Sequence, residues 1–176
     1  MDALDELRWI SAPLFAEFSP ERENREQFRL EFDHFAESDD DPLSEWLKLA
    51  RARGETKESD PVLLAMMIDL HAKIDELARL IKGEKKRLVE LTRSSALDGL
   101  NYSHFRLKEP KLKAGERYYG RIAMPVFPMR DFGLYFVALS DKIAELSLLH
   151  ERDQRAWDGY AASRERAAIR QMKERQ

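Results

Sequence analysis

Residues 133–149 read GLYFVALSDKIAELSLL, two runs of aromatic, β-branched and alternating residues divided by the short polar segment Ser140-Asp141-Lys142. Runs of this texture suit extended strands, and a tight polar turn between two runs that can pair along their full length predicts a hairpin. Working outward, similar runs occur at residues 116–124 (ERYYGRIAM), 100–106 (LNYSHFR) and 87–92 (RLVELT), divided by Asp98-Gly99, residues 110–115 and residues 125–131. The chain from Lys86 onward is therefore expected to form a small antiparallel sheet or barrel. After the hairpin, residues 150–173 turn helical and dense in charge, with Trp157, Tyr160 and Ala161 as the expected anchoring face. The basic end of that helix, with Arg164, Arg166, Arg170, Lys173 and Arg175, is read as a solvated terminus.

Upstream of the sheet the period is helical. Three helix starts pair a capping side chain with proline: Ser19-Pro20, Asp41-Pro42 and Asp60-Pro61. The Ser or Asp oxygen accepts an N–H that the first turn leaves unpaired, and proline at the first helical position has no N–H to leave unpaired. Phe28, Phe32 and Phe35 come after the first of these, and Leu43, Trp46, Leu47 and Ala50 after the second, all at amphipathic spacing. The acidic run at residues 37–41 reads as a solvated turn at a helix start. After Asp60 the pattern tightens. Leu63, Met67, Leu70, Ile74, Leu77 and Ile81 recur at intervals of 4, 3, 4, 3 and 4, which is a heptad seam over a helix expected at residues 60–82. Leu64, Ile68 and Leu80 lie off the seam and suggest a second apolar face. Self-association through this helix is one reading, and packing on the helices before it is the other. Gly83 is the expected stop.

The bulk properties narrow the function classes. A chain of 176 residues suits one compact domain with an appendage. Thirty basic and thirty-three acidic residues give a net charge of −3, so no global field attracts nucleic acid. No apolar run approaches the ~20 residues of a membrane helix, and the opening MDALDEL lacks the basic, then apolar, pattern of a secretory leader, so residence in the cytoplasm is expected. Zero cysteines exclude disulfides, thiolate zinc sites and cysteine nucleophiles. His34, His71, His104 and His150 fall at no recognised ligand spacing, and the seven glycines form no phosphate-cradling loop. Ser94, Ser95 and Asp98 lie where turn-forming side chains are expected on structural grounds. The chain is read as non-enzymatic, with no cofactor and no metal.

Residues 88–166 taken together resemble a PilZ domain, a small six-stranded barrel with a terminal helix that in many bacteria binds cyclic di-GMP. The stretches that carry the resemblance are 91–102 (LTRSSALDGLNY), 112–115 (LKAG), 125–128 (PVFP) and 146–166 (LSLLHERDQRAWDGYAASRER). A different five- or six-stranded barrel is the alternative. Ligand-binding members carry an RxxxR element before the first strand and a (D/N)xSxxG turn after it. Here Glu84-Lys85-Lys86-Arg87 supplies no second arginine, and neither register of residues 94–99 restores the turn. The pairs Arg25/Arg29, Arg117/Arg121 and Arg166/Arg170 match RxxxR but sit elsewhere.

A subset of PilZ proteins lacks these motifs, adds helices including one with heptads, and forms tetramers through them. The resemblance to that subset implies an α+β fold: a six-stranded antiparallel PilZ-like β-barrel over residues 85–176 with its C-terminal helix, and N-terminal helices over residues 1–84, the long heptad helix last. It also implies a regulatory or adaptor role by protein contact. The expected partners are the chain itself, a tetramer being favoured over a dimer, and a protein of unknown identity. No nucleic acid is expected, nor a membrane span, nor cyclic di-GMP. Leu63, Met67, Leu70, Ile74, Leu77 and Ile81 are the candidate association residues. Lys85, Lys86, Arg87 and Arg93, beside Ser95, Asp98 and Gly99, form a candidate surface for an acidic partner or, alternatively, a degenerate cyclic di-GMP site.

Overall fold

The computed structural model describes residues 7–37, 42–82, 88–126 and 130–174. The chain divides into two compact units, one built from Met1–Phe32 with Val89–Gln176 and the other from Asp33–Leu88.

The first unit holds six antiparallel strands: β1 (Phe15–Pro20), β2 (Arg93–Leu100), β3 (His104–Leu107), β4 (Arg117–Met124), β5 (Arg130–Ala138) and β6 (Ile143–Leu149). They close as a barrel in the order β1-β2-β3-β6-β5-β4. The expected hairpin is there, β5 pairing with β6 from Leu134 opposite Leu149 to Ala138 opposite Ala144. Its turn is tight because the Ser140 hydroxyl accepts the backbone N–H groups of Lys142 and Ile143 at 3.2 and 3.0 Å.

Closure depends on a strand from a stretch read as helix start. β1 pairs with both β2 and β4, so the barrel takes its first stave from residues 15–20 and not from the chain after Lys86 alone. The boundary expected at residues 84 and 85 is corrected accordingly: the helices interrupt the barrel after its first strand instead of preceding it. Ser19 does not cap a helix. Its buried hydroxyl accepts the Thr92 N–H at 2.8 Å, and the chain enters a 3-10 turn, Glu21–Glu23, with no side-chain cap. Residues 88–92, expected in a strand, lie outside the strands, and β2 runs over residues 93–100, of which only Leu100 is expected in a strand and Asp98-Gly99 is expected as a divider. Asp98-Gly99 falls where the β2–β3 register slips between Leu97 and Gly99, so these turn residues make an irregularity inside a strand pair.

Period-two alternation gives β4 two working faces. Tyr118 and Ile122 point into the barrel core with Phe18, Leu100, Phe105, Leu107, Phe136 and Trp157. Tyr118 stacks on Phe136 with ring centroids 5.3 Å apart, and Phe105 meets the same ring edge-on at 4.9 Å. Gly120 lies between them, where a Cβ would come within 2.8 Å of the Glu17 carbonyl oxygen of β1, so the strands can approach only across a glycine. Tyr119 and Arg121 face outward. Tyr119 joins Phe28, Phe32 and Tyr135 in a second cluster beneath the first turns of α1 (Arg25–Glu37), with Val89 and Leu91 partly buried against it. The last helix, α4 (Glu151–Glu174), sets Trp157 in the inner core, where its indole N–H donates to the Asn101 carbonyl at 2.9 Å. Trp157 and Ala161 are fully buried, as their spacing predicts.

The second unit contains the end of α1, α2 (Pro42–Ala52) and α3 (Pro61–Ile81). Phe35, Leu47 and Ala50 are buried, while Trp46 is 55% exposed. Asp41 and the rest of the expected acidic turn at residues 38–41 lie outside the described residues.

Candidate functional site

Helix α3 begins as its sequence demands. The Asp60 carboxylate accepts the Val62 N–H at 2.8 Å and the Leu63 N–H at 3.4 Å, and Pro61 occupies the first turn. Beyond its cap the helix is unusual for a single chain. Leu63, Met67, Leu70, Ile74, Leu77 and Ile81 are all between 54% and 86% exposed. Val62, Met66 and Leu80 are exposed beside them, so at 100° per residue the apolar face covers roughly 140° of the helix. That exceeds a two-stranded seam. Leu64 and Ile68 are half-buried, whereas every described residue from His71 to Lys82 is exposed. The flank carries an i,i+4 pair, His71 Nδ1 lying 3.3 Å from the Asp75 carboxylate. Gly83 lies outside the described residues.

Of the other expected surface, Arg93, Ser95, Asp98 and Gly99 are among the described residues. Lys85, Lys86 and Arg87 lie outside the described residues. Arg93 is half-buried on β2, where one Nη donates to the Lys111 carbonyl at 3.0 Å and to the Tyr118 hydroxyl at 3.2 Å. Ser95, expected on an exposed loop, is 2% exposed; its hydroxyl donates to the Ala96 carbonyl and accepts the Glu109 N–H. Asp98 is exposed and pairs with Arg106 at 2.8 Å. Gly99 lies against Trp9, whose Cβ would be 3.2 Å from a Cβ added there. The residues are neighbours along one strand, but their polar groups are spent on the protein itself.

A constellation that spacing cannot reveal sits on the outer face of β4. Arg121, buried, donates to the Glu31 carboxylate at 2.7 Å, to the Val89 carbonyl at 2.8 Å and to Glu17 at 3.2 Å. The Tyr119 hydroxyl donates to the same Glu31 oxygen at 2.8 Å, and the other Glu31 oxygen accepts the Val89 N–H. Burial, then the charge and hydrogen bond of Glu31, push the Tyr119 phenol far above its ordinary value, so it remains a donor. Burial disfavours the Arg121 charge, but the hydrogen bonds and charges of Glu31 and Glu17 outweigh it and raise its pKa further. Glu31 stands just before the point where the chain leaves the first unit, and Val89 is where it returns. The network therefore ties both ends of the helical insertion to one strand. Its members lie up to 104 residues apart, which is why no motif announces it.

Among the described residues no group of His, Asp and Glu could hold a metal ion, and no helix is long and apolar enough to cross a membrane. No family model, no curated protein and no solved structure matches this chain.

Proposed function

We propose that this protein is a non-enzymatic, PilZ-like adaptor of the cytoplasm that self-associates through α3 and acts by contact with a protein partner, without holding cyclic di-GMP. The observation that carries the reading is the α3 seam: six heptad side chains, all more than half exposed, on a helix whose second half is exposed at every described residue. Most of a helix's stability in a protein comes from packing of its apolar face. Full burial is worth roughly 1.5–3 kcal/mol per large apolar side chain, so pairing two seams is of the same order as the ~4–15 kcal/mol cost of association. The wide apolar face, extended by Val62, Met66 and Leu80, favours four helices over two. The engaged Arg93 and the buried Ser95 support the part of the reading that leaves cyclic di-GMP unbound, since both side chains are already engaged within the protein.

Light scattering coupled to size exclusion tests the assembly. The wild type is expected at the mass of four chains at tens of micromolar, and Ile74→Asp with Leu77→Asp at a smaller mass. A wild-type monomer at that concentration overturns the reading. Calorimetric titration with cyclic di-GMP is expected to give no heat, and a sub-micromolar Kd would restore the ligand-sensor alternative.

A further inference from the structure

With no cysteine in the chain, thioethers are its only oxidisable sulfur, and they are unevenly placed. Met124 is buried in the barrel core, Met172 stands exposed near the end of α4, and Met66 and Met67 stand side by side on α3, 55% and 60% exposed. Met1 and Met129 lie outside the described residues. Met67 is a seam position, four residues after Leu63 and three before Leu70, and Met66 widens the same apolar face. Leu63, Leu70 and Ile74, the neighbours of Met67 along the seam, carry no side-chain hydrogen-bond donor. The seam therefore offers no partner to a polar oxygen placed within it.

We propose that the Met66–Met67 pair is a redox switch on α3: a hydroperoxide oxidises it on the free chain, and the oxidised chain no longer assembles. The switch rests on the self-association proposed above and adds its regulation. The sulfur lone pair attacks the terminal oxygen of the hydroperoxide, the O–O bond breaks, and the proton on the transferred oxygen passes to the departing one. The thioether is oxidised by two electrons to a sulfoxide, and the hydroperoxide is reduced to an alcohol or, from hydrogen peroxide, to water. A flexible apolar side chain is thereby turned into a polar one. Covering it among apolar neighbours strips water from the new oxygen without replacing those hydrogen bonds, and that cost falls on the associated state alone. Sulfoxides of methionine are reducible, so the change is reversible. Accessibility gives the switch its direction. Both side chains are open to solvent on the single chain, whereas a covered seam shields them, so dissociated chains are oxidised and assembled chains are spared.

Timed treatment of the full chain with hydrogen peroxide, read by peptide mass spectrometry and by light scattering coupled to size exclusion, tests it. At tens of micromolar Met66 and Met67 are expected to oxidise severalfold more slowly than at sub-micromolar concentration. In Ile74→Asp with Leu77→Asp the two rates should be equal. Once oxidised, the wild type should need about tenfold or more higher concentration to assemble, and methionine sulfoxide reductases acting on both sulfur epimers should restore it. Met66→Leu with Met67→Leu, a volume-conserving pair, should assemble like the wild type and keep its mass through the same treatment although Met172 is oxidised. Loss of assembly in the peroxide-treated leucine variant, concentration-independent oxidation of the wild type, or unaltered assembly with both methionines oxidised each overturns the switch and leaves self-association standing. A wild type that is monomeric before peroxide is added overturns self-association itself, and the switch with it.

Discussion

In the barrel, Phe18, Phe105, Tyr118, Phe136 and Trp157 are at most 1% exposed and pack ring against ring; along α3, six leucine, isoleucine and methionine side chains stand 54–86% exposed. The barrel completes itself, with every strand paired on both sides and its indole donor satisfied. The α3 seam is left outside at all six of its positions. Intramolecular burial makes stability independent of concentration, whereas an apolar face left outside makes it a matter of mass action. The same molecule thus carries one region whose apolar side chains are covered on folding and another whose apolar side chains are not, and on the self-association proposed above the second would depend on meeting another copy.

The sharpest way to break the self-sufficient region is at its buried charge. Arg121→Met leaves Glu31 buried without its cation, and removal of one partner of such a pair costs about 3–5 kcal/mol. The companion change Glu31→Met should recover part of that loss, because two apolar groups no longer strand a charge. Urea unfolding of the two single variants and the double variant measures both effects. A double variant less stable than Arg121→Met alone would show that the network contributes more than mutual charge compensation.

The difference between the regions also explains what sequence could reveal. Helix α3 and its apolar face were legible because they are local: six apolar side chains on one face need only a 4-3-4-3-4 spacing to be seen. The β5–β6 hairpin, the span of β4 and the Trp157–Ala161 anchor were legible for the same reason. β1 was not. Only Ala16 and Phe18 point inward in its alternating part, too short a pattern to register, and Ser19-Pro20 mimics a helix start. β2 is disguised by Ser94-Ser95, which pair in regular register with Glu17 and Ala16, and by Asp98-Gly99, which fall at a register slip. In residues 88–92 the alternation is real but misleading: Val89 and Leu91 do pack inward, on Phe28, Phe32, Tyr119 and Tyr135, while Val89 gives its backbone groups to Glu31 and Arg121 instead of a ladder. The Glu31–Arg121 network joins residues that lie close only after the barrel has closed.

A smaller perturbation probes the closure itself. Gly120→Ala pushes a methyl group into the Glu17 carbonyl of β1 and the Phe18 Cβ, at 2.8 and 3.1 Å. Overpacking of this kind costs about 1–3 kcal/mol, and here it falls on the β1–β4 junction that makes the sheet a barrel. Thermal unfolding should shift down while the assembly mass stays that of the wild type. A change in mass without a change in melting would mean that β1 is not held where the pairing places it.

The mildest change separates the two regions most cleanly. Asp60→Ala removes the acceptor for the Val62 and Leu63 N–H groups, a loss worth about 1 kcal/mol of helix stability. In the barrel such a loss would be the same at any protein concentration. In α3 it should not be, because the seam contributes only when it is covered, and assembly restores by mass action what the cap no longer supplies. Far-ultraviolet circular dichroism is therefore expected to show Asp60→Ala with less helix than wild type at sub-micromolar concentration. The two should converge at tens of micromolar, with barrel melting unchanged throughout. A helix deficit that persists unaltered across the whole dilution series would mean that α3 draws its stability from its own chain after all, and the contrast with the barrel would fall.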